Sequence, residues 1–176
     1  IAWRLPNLFR ALFAEGAFAA VFVPMFNRKM AEADKDAPGT GLDIAKAFAG
    51  QVLSVLVPFL ALFTALMMLA AGPVVYAMTG GFPDGGPEKF ALARHLTIIT
   101  FPYLGLISLV SLLGGILNSL NRFWVNAAAP ILLNICMIVA LLFFRGDNEV
   151  DTAITQAIAV TVSGAMQLLW LILSCR

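Results

Sequence analysis

Read from its start, the chain alternates long apolar runs with short polar breaks, and the apolar runs predict five helices. The first runs from about Leu5 to Met30, with Pro6 suited to a first turn and Pro24 an internal kink. A polar loop, 31–43, carries Pro38, Gly39 and Gly41. The second helix spans about 44–78 with Pro58 and Pro73 inside, longer than one bilayer crossing, which calls for tilt, a kink or projection. After a Gly- and Pro-rich loop at 79–86, helices are expected at about 87–120, 125–144 and 151–175. Strands do not compete, because the Val, Leu and Ile runs persist far beyond strand length.

The spacing of charge decides where these helices live. No charged residue lies between Lys46 and Asp84, Arg94 and Arg122, Arg122 and Arg145, or Asp151 and Arg176, His95 being taken as neutral. Each gap exceeds or matches the roughly 20 apolar residues of a membrane span. A soluble helix of that length would need a solvated face. Composition agrees: 61% of the 176 residues are apolar and 12% charged, against about 45–50% and about 25% in soluble domains. The expected fold is therefore all-α, a polytopic transmembrane bundle forming one membrane domain over 1–176. Ile1 is not a start methionine, and Arg176 directly follows an apolar run, so both ends predict a piece of a longer chain.

Basic residues orient the bundle. Arg28, Lys29, Lys35, Lys46, Arg122 and Arg176 fall on one side of a five-helix topology, and Lys89, Arg94 and Arg145 on the other. The loop 31–43 is accordingly expected in the cytoplasm. Net charge is +1 with no basic stripe, so nucleic acid is not an expected partner.

Ionisable residues within an apolar run are the candidates for function, since lipid penalises them. The first helix holds Arg10 and Glu15, with Arg4 near its start and Asn7 on the Arg10 face. Five positions separate Arg10 from Glu15, about 140° around a helix, which is poor for mutual neutralisation. Each needs a partner on another helix, a ligand or water. Arginine suits an anionic group through its planar fork. The competing reading has these side chains snorkel to headgroups, which fits Arg4 best and Glu15 least.

Polar stripes recur at helical spacing in the third helix (Ser108, Ser111, Gly115, Asn118, Arg122) and the fifth (Thr152, Gln156, Ser163, Gln167), and Asn126 and Asn134 share a face of the fourth. Such stripes serve packing or line a cavity; for Ser111 and Asn118 cavity lining stays open. Cys136 and Cys175 lie in apolar surroundings and read as small hydrophobes. The acidic cluster Glu32–Asp36 lacks calcium-loop spacing and reads as a solvated turn. No nucleotide-loop, metalloprotease or nucleophile-elbow motif is present, and no cofactor, metal site or enzyme activity is expected.

Two strings carry more. RLPNLFRALFAEGAFAAVFVPMF at 4–26 and FPYLGLISLVSLLGGILNSLNRFWVNAAAPILLN at 101–134 resemble the MurJ/MviN family, lipid II flippases of the superfamily that also holds multidrug and polysaccharide-lipid exporters. The resemblance implies one lobe of a two-lobed exporter of about fourteen helices, with this chain as the second to sixth. It implies transport of undecaprenyl-pyrophosphate-linked disaccharide-pentapeptide from cytoplasmic to periplasmic leaflet of the bacterial inner membrane by alternating access. By the same resemblance, Arg10 with Asn7 and Arg4 would hold substrate, and Glu15 would stand in a gate against the other lobe. The remaining helices of the longer chain and membrane lipids would be its other partners. Two departures weaken nearby positions: Ala11 replaces a second arginine, and Ala19-Ala20 replace Ser-Gln. Another exporter of the same superfamily, or a non-transporting membrane scaffold, are the alternatives.

Overall fold

The computed structural model describes residues 17–80 and 86–175. Among these the regular elements are helices: α1 (Ala17–Asp36), α2 (Gly41–Leu69), α3 (Ala71–Thr79), α4 (Gly86–Ser119), α5 (Phe123–Phe143) and α6 (Glu149–Ser174). Four of them, α2, α4, α5 and α6, are long and apolar enough to cross a membrane. Of the expected first span, 5–30, residues 5–16 lie outside the described residues and 17–30 fall in α1.

α4 is the central element and touches each of the other five, with its broadest interface against α6. Its most apolar stretch is 44% buried, against 6% for that of α2, so α2 turns most of its apolar surface outward. Such a distribution suits a bundle whose outer solvent is hydrocarbon, where outward Val55, Phe59, Leu62 and Leu66 cost nothing. One core gathers Phe22 and Phe26 of α1, Ala45 and Ala49 of α2, Leu112, Leu113 and Leu117 of α4, Val125 of α5 and Leu171 of α6.

Three boundaries differ from the sequence reading. α1 continues through Asp36, so the loop expected at 31–43 shrinks to four residues, 37–40. The cluster Glu32–Asp36 is thus helical rather than a turn. Within it Asp34 Oδ1 accepts from Gly41 N (2.8 Å) and Gly39 N (3.2 Å), closing the connection. Gly41 is required there, because a Cβ would run into Met30 O and the Asp34 carboxyl.

The second difference is a break in the expected helix 44–78 at Ala70, between α2 and α3. Pro73 explains it. Proline has no N–H for the carbonyl of Leu69 and its ring crowds that carbonyl. Pro73 instead sits in the first turn of α3, where an N–H would be free anyway. Pro58, by contrast, leaves α2 unbroken.

Third, α6 starts at Glu149, where Asn148 caps it by accepting from Asp151 N (2.8 Å) and two carboxylates occupy the first turn. α4 ends in a Schellman motif: Arg122 N donates to Leu117 O (2.8 Å), Asn121 N donates to Asn118 O (3.1 Å), and Asn121 takes φ 60°.

Candidate functional site

Arg4, Asn7, Arg10 and Glu15 lie outside the described residues, and no geometry is assigned to them. Ser111 and Asn118 are described, both half-buried on α4. Two other members of their stripe, Ser108 and Gly115, sit at packed positions. Ser108 is buried and donates to Leu104 O (2.8 Å). Gly115 faces α1, where an added Cβ would come within 2.7 Å of Val23. Gly114 faces α5 and lies against Asn126, and Gly105 faces Thr64 of α2. Small residues thus let α4 approach three helices at once. Ser111 and Asn118 flank Gly115 at helical spacing and share its side toward α1.

α6 packs on a different side of α4 through residues beside its polar stripe. Gly164 meets Tyr103 and Leu106 of α4. Thr161 Oγ1 donates to Ile99 O across the interface (2.7 Å). Gln156 Nε2 reaches Met137 O of α5 at a long 3.4 Å. Gln167 is fully buried, and its Nε2 has no hydrogen-bond partner among the described residues. A bare amide in such surroundings is costly.

Charge separates along the bundle. The α1–α2 and α4–α5 connections and the end of α6 share one end, which carries Arg28, Lys29, Lys35, Lys46 and Arg122. Arg28 Nε donates to Glu32 Oε1 (2.7 Å) one turn on, which pulls the Glu32 carboxyl below its usual range. Lys29 Nζ sits 5.5 Å from the centre of the Phe48 ring. Arg122 Nη1 donates to Ser174 O (2.7 Å), tying the α4–α5 turn to the end of α6. Arg145 stands at the other end, in the α5–α6 connection with Asp147, and Glu149 begins α6 beside them. No cluster of three or more metal-ligating side chains occurs among the described residues.

Between α1, α2, α4 and the end of α6 at the basic end is a cleft of about 430 Å³. Phe26, Leu53, Leu113 and Leu117 form its interior, and Lys46, Arg122, Ser174 and Cys175 complete its lining. The sequence reading used Lys46 only as an orientation charge, and Arg122 as an orientation charge and as the end of the third helix's polar stripe. They lie far apart in the chain, so no spacing rule joins them.

The family model described as Lipid II flippase MurJ matches residues 1–176, the whole chain. The chain belongs to the MurJ family. It is 43% identical over 170 residues to the probable lipid II flippase MurJ of Rhizobium tropici, an alignment covering 95% of this chain and 30% of that protein. With the Rickettsia prowazekii (strain Madrid E) protein of the same description it shares 37% over 176 residues, covering 100% and 32%. The lipid II flippase MurJ of Burkholderia cenocepacia is 38% identical over 169 residues, covering 96% and 31%. The chain therefore spans about a third of the length of these MurJ relatives. Family and apolar helices together make it part of a multi-pass membrane protein.

Proposed function

We infer that this chain is part of a flippase that carries lipid II from the cytoplasmic to the periplasmic leaflet of the bacterial inner membrane. The match of all 176 residues to the MurJ family model carries the reading. No bond is made or broken in such transport, so the task of the protein is to offer a polar path through lipid and to alternate its opening.

In this reading Arg10 holds the pyrophosphate through its fork, with Asn7 beside it and Arg4 toward the interface. Glu15 closes a gate against the other lobe. Supporting this, α1, which follows these residues in the chain, packs on the Gly115 side of α4, which also carries Ser111 and Asn118. Those two would extend the polar lining. The connection 37–40 faces the cytoplasm, supported by the five basic side chains at its end of the bundle.

The test uses the full-length parent in cells depleted of their own lipid II flippase. Arg10→Ala should cut delivery of lipid II to the outer leaflet by about tenfold or more, the scale of a lost charge-assisted pair. Arg10→Lys should recover part of it, and both proteins should reach the membrane at normal abundance. Full delivery by both would remove Arg10 from the substrate path, and a scaffold would tolerate either change.

A further inference from the structure

We propose that the cleft between α1, α2, α4 and the end of α6 binds an anionic phospholipid, with Lys46 and Arg122 toward its phosphate and an acyl chain over Leu42, Leu53 and Leu120, which line the cleft and keep accessible surface. The proposal rests on the membrane reading of the bundle and is independent of what the whole protein transports.

The lining has the two-part character of a lipid. Its interior is apolar, and its charged side chains are two cations, Lys46 from α2 and Arg122 from the α4–α5 turn. Neither Lys46 nor Arg122 makes an ion pair among the described residues. The carboxylate closest to Lys46 in sequence, Asp43, does not line the cleft. Arg122 spends one donor on Ser174 O, which holds the guanidinium in place. A guanidinium has five N–H donors, so the rest of its fork is available. The Schellman motif fixes the backbone from which it projects.

Depth supports the same occupant. Trp124 stands two residues after Arg122 and packs edge-on against Trp170, ring centres 5.9 Å apart. Trp170 Nε1 donates to Val125 O (3.2 Å). Tryptophan concentrates at the headgroup level of a bilayer. Arg122 is therefore placed where lipid phosphates lie, and the apolar interior of the cleft lies one step deeper. Basic pockets between spanning helices are a recurrent form of anionic-lipid site. A saccharide or peptide headgroup fits less well. Beyond the two cations the polar lining is Ser174, committed to Trp170 O, and Cys175, so amides and further hydroxyls to read sugars are lacking.

The experiment titrates the purified full-length parent, in neutral detergent, with phosphatidylglycerol and separately with phosphatidylcholine, reading bound lipid by native mass spectrometry. Wild type should prefer phosphatidylglycerol. Joint Lys46→Gln and Arg122→Gln should weaken it by about thirtyfold and erase the preference. Lys46→Gln alone, at an exposed position that tolerates change, should weaken it about fivefold even if the double variant folds poorly. Lys46→Arg should keep it, as should Arg145→Gln at the opposite end. No preference in wild type, or an undiminished preference in Lys46→Gln, overturns the site. Undecaprenyl pyrophosphate is the competitor: if it displaces phosphatidylglycerol and binds tighter, the cleft takes a polyprenyl pyrophosphate instead and the phospholipid assignment fails. Lipid II delivery by Lys46→Gln, measured separately, keeps failure here distinct from failure of the flippase reading.

Discussion

Single residues in this chain work where backbone geometry or charge leaves few substitutes. Asn121 adopts φ 60° to end α4, a conformation that costs other L-residues about 1–2 kcal/mol. Asn121→Ala should therefore destabilise the full-length protein by about 1 kcal/mol, and Asn121→Gly should not. Thermal unfolding of the two variants in matched detergent checks this. Cys175 offers a second test. Its surroundings desolvate the thiol and push its pKa up, while Arg122 pulls the other way. The folded state thus favours the thiol form, and the associated stability is present below the ordinary thiol pKa and fades as pH rises through the raised value. Cys175 should react with iodoacetamide more slowly at neutral pH than a free thiol, its rate climbing at higher pH. Arg122→Ala should slow it further, because the remaining influence on the thiol is burial.

Elements show how local signals compete. The sequence holds two prolines in the stretch 44–78, and nothing in the local pattern says which one ends the helix. Pro58 is absorbed in α2, and Pro73 ends it three residues upstream, at Ala70. Restoring the missing N–H should let α2 and α3 fuse. In Pro73→Ala, amide exchange over 70–74 should slow measurably; unchanged exchange would assign the break to packing on α4 instead. The polar ending of α1 teaches the reverse lesson. Pro38, Gly39 and the charges before them suggest a long loop, yet Arg28 and Glu32 pair one turn apart and Asp34 reaches over to the start of α2. Charges compatible with a solvated loop are equally compatible with a solvated helix end.

At the scale of the molecule, stability depends on how closely α4 is approached. Gly105, Gly114 and Gly115 on α4 and Gly164 on α6 each lie against a neighbouring helix. At Gly164 an added Cβ would stand 2.8 Å from the Tyr103 ring and 3.3 Å from Leu106. Gly164→Leu should pry α6 from α4 and cost about 1–3 kcal/mol or more, as overpacking does. The check is a lowered unfolding temperature of the full-length protein, with Gly50→Leu, whose Cβ meets open space, as the neutral control.

The sequence by itself determined that this chain is helical, that it belongs in a bilayer, and which end carries the positive charge. Those properties follow from long uncharged apolar runs and from the count of basic residues on each side, which need no knowledge of neighbours. The LPN…FAEGAF and FPY…NRF strings also placed it in its family, because strings of that length are specific. Tertiary structure alone decided that Gly115 of α4 and Gly164 of α6 sit at helix contacts, since packing and cavity lining use the same small and polar residues at the same spacing. It alone placed Lys46 of α2 and Arg122 of the α4–α5 turn in the lining of one cleft, because neither segment encodes the position of the other. Hydrophobic pattern sets the medium of each helix; which faces meet is settled only when all the helices compete for the same glycine-lined contacts on α4.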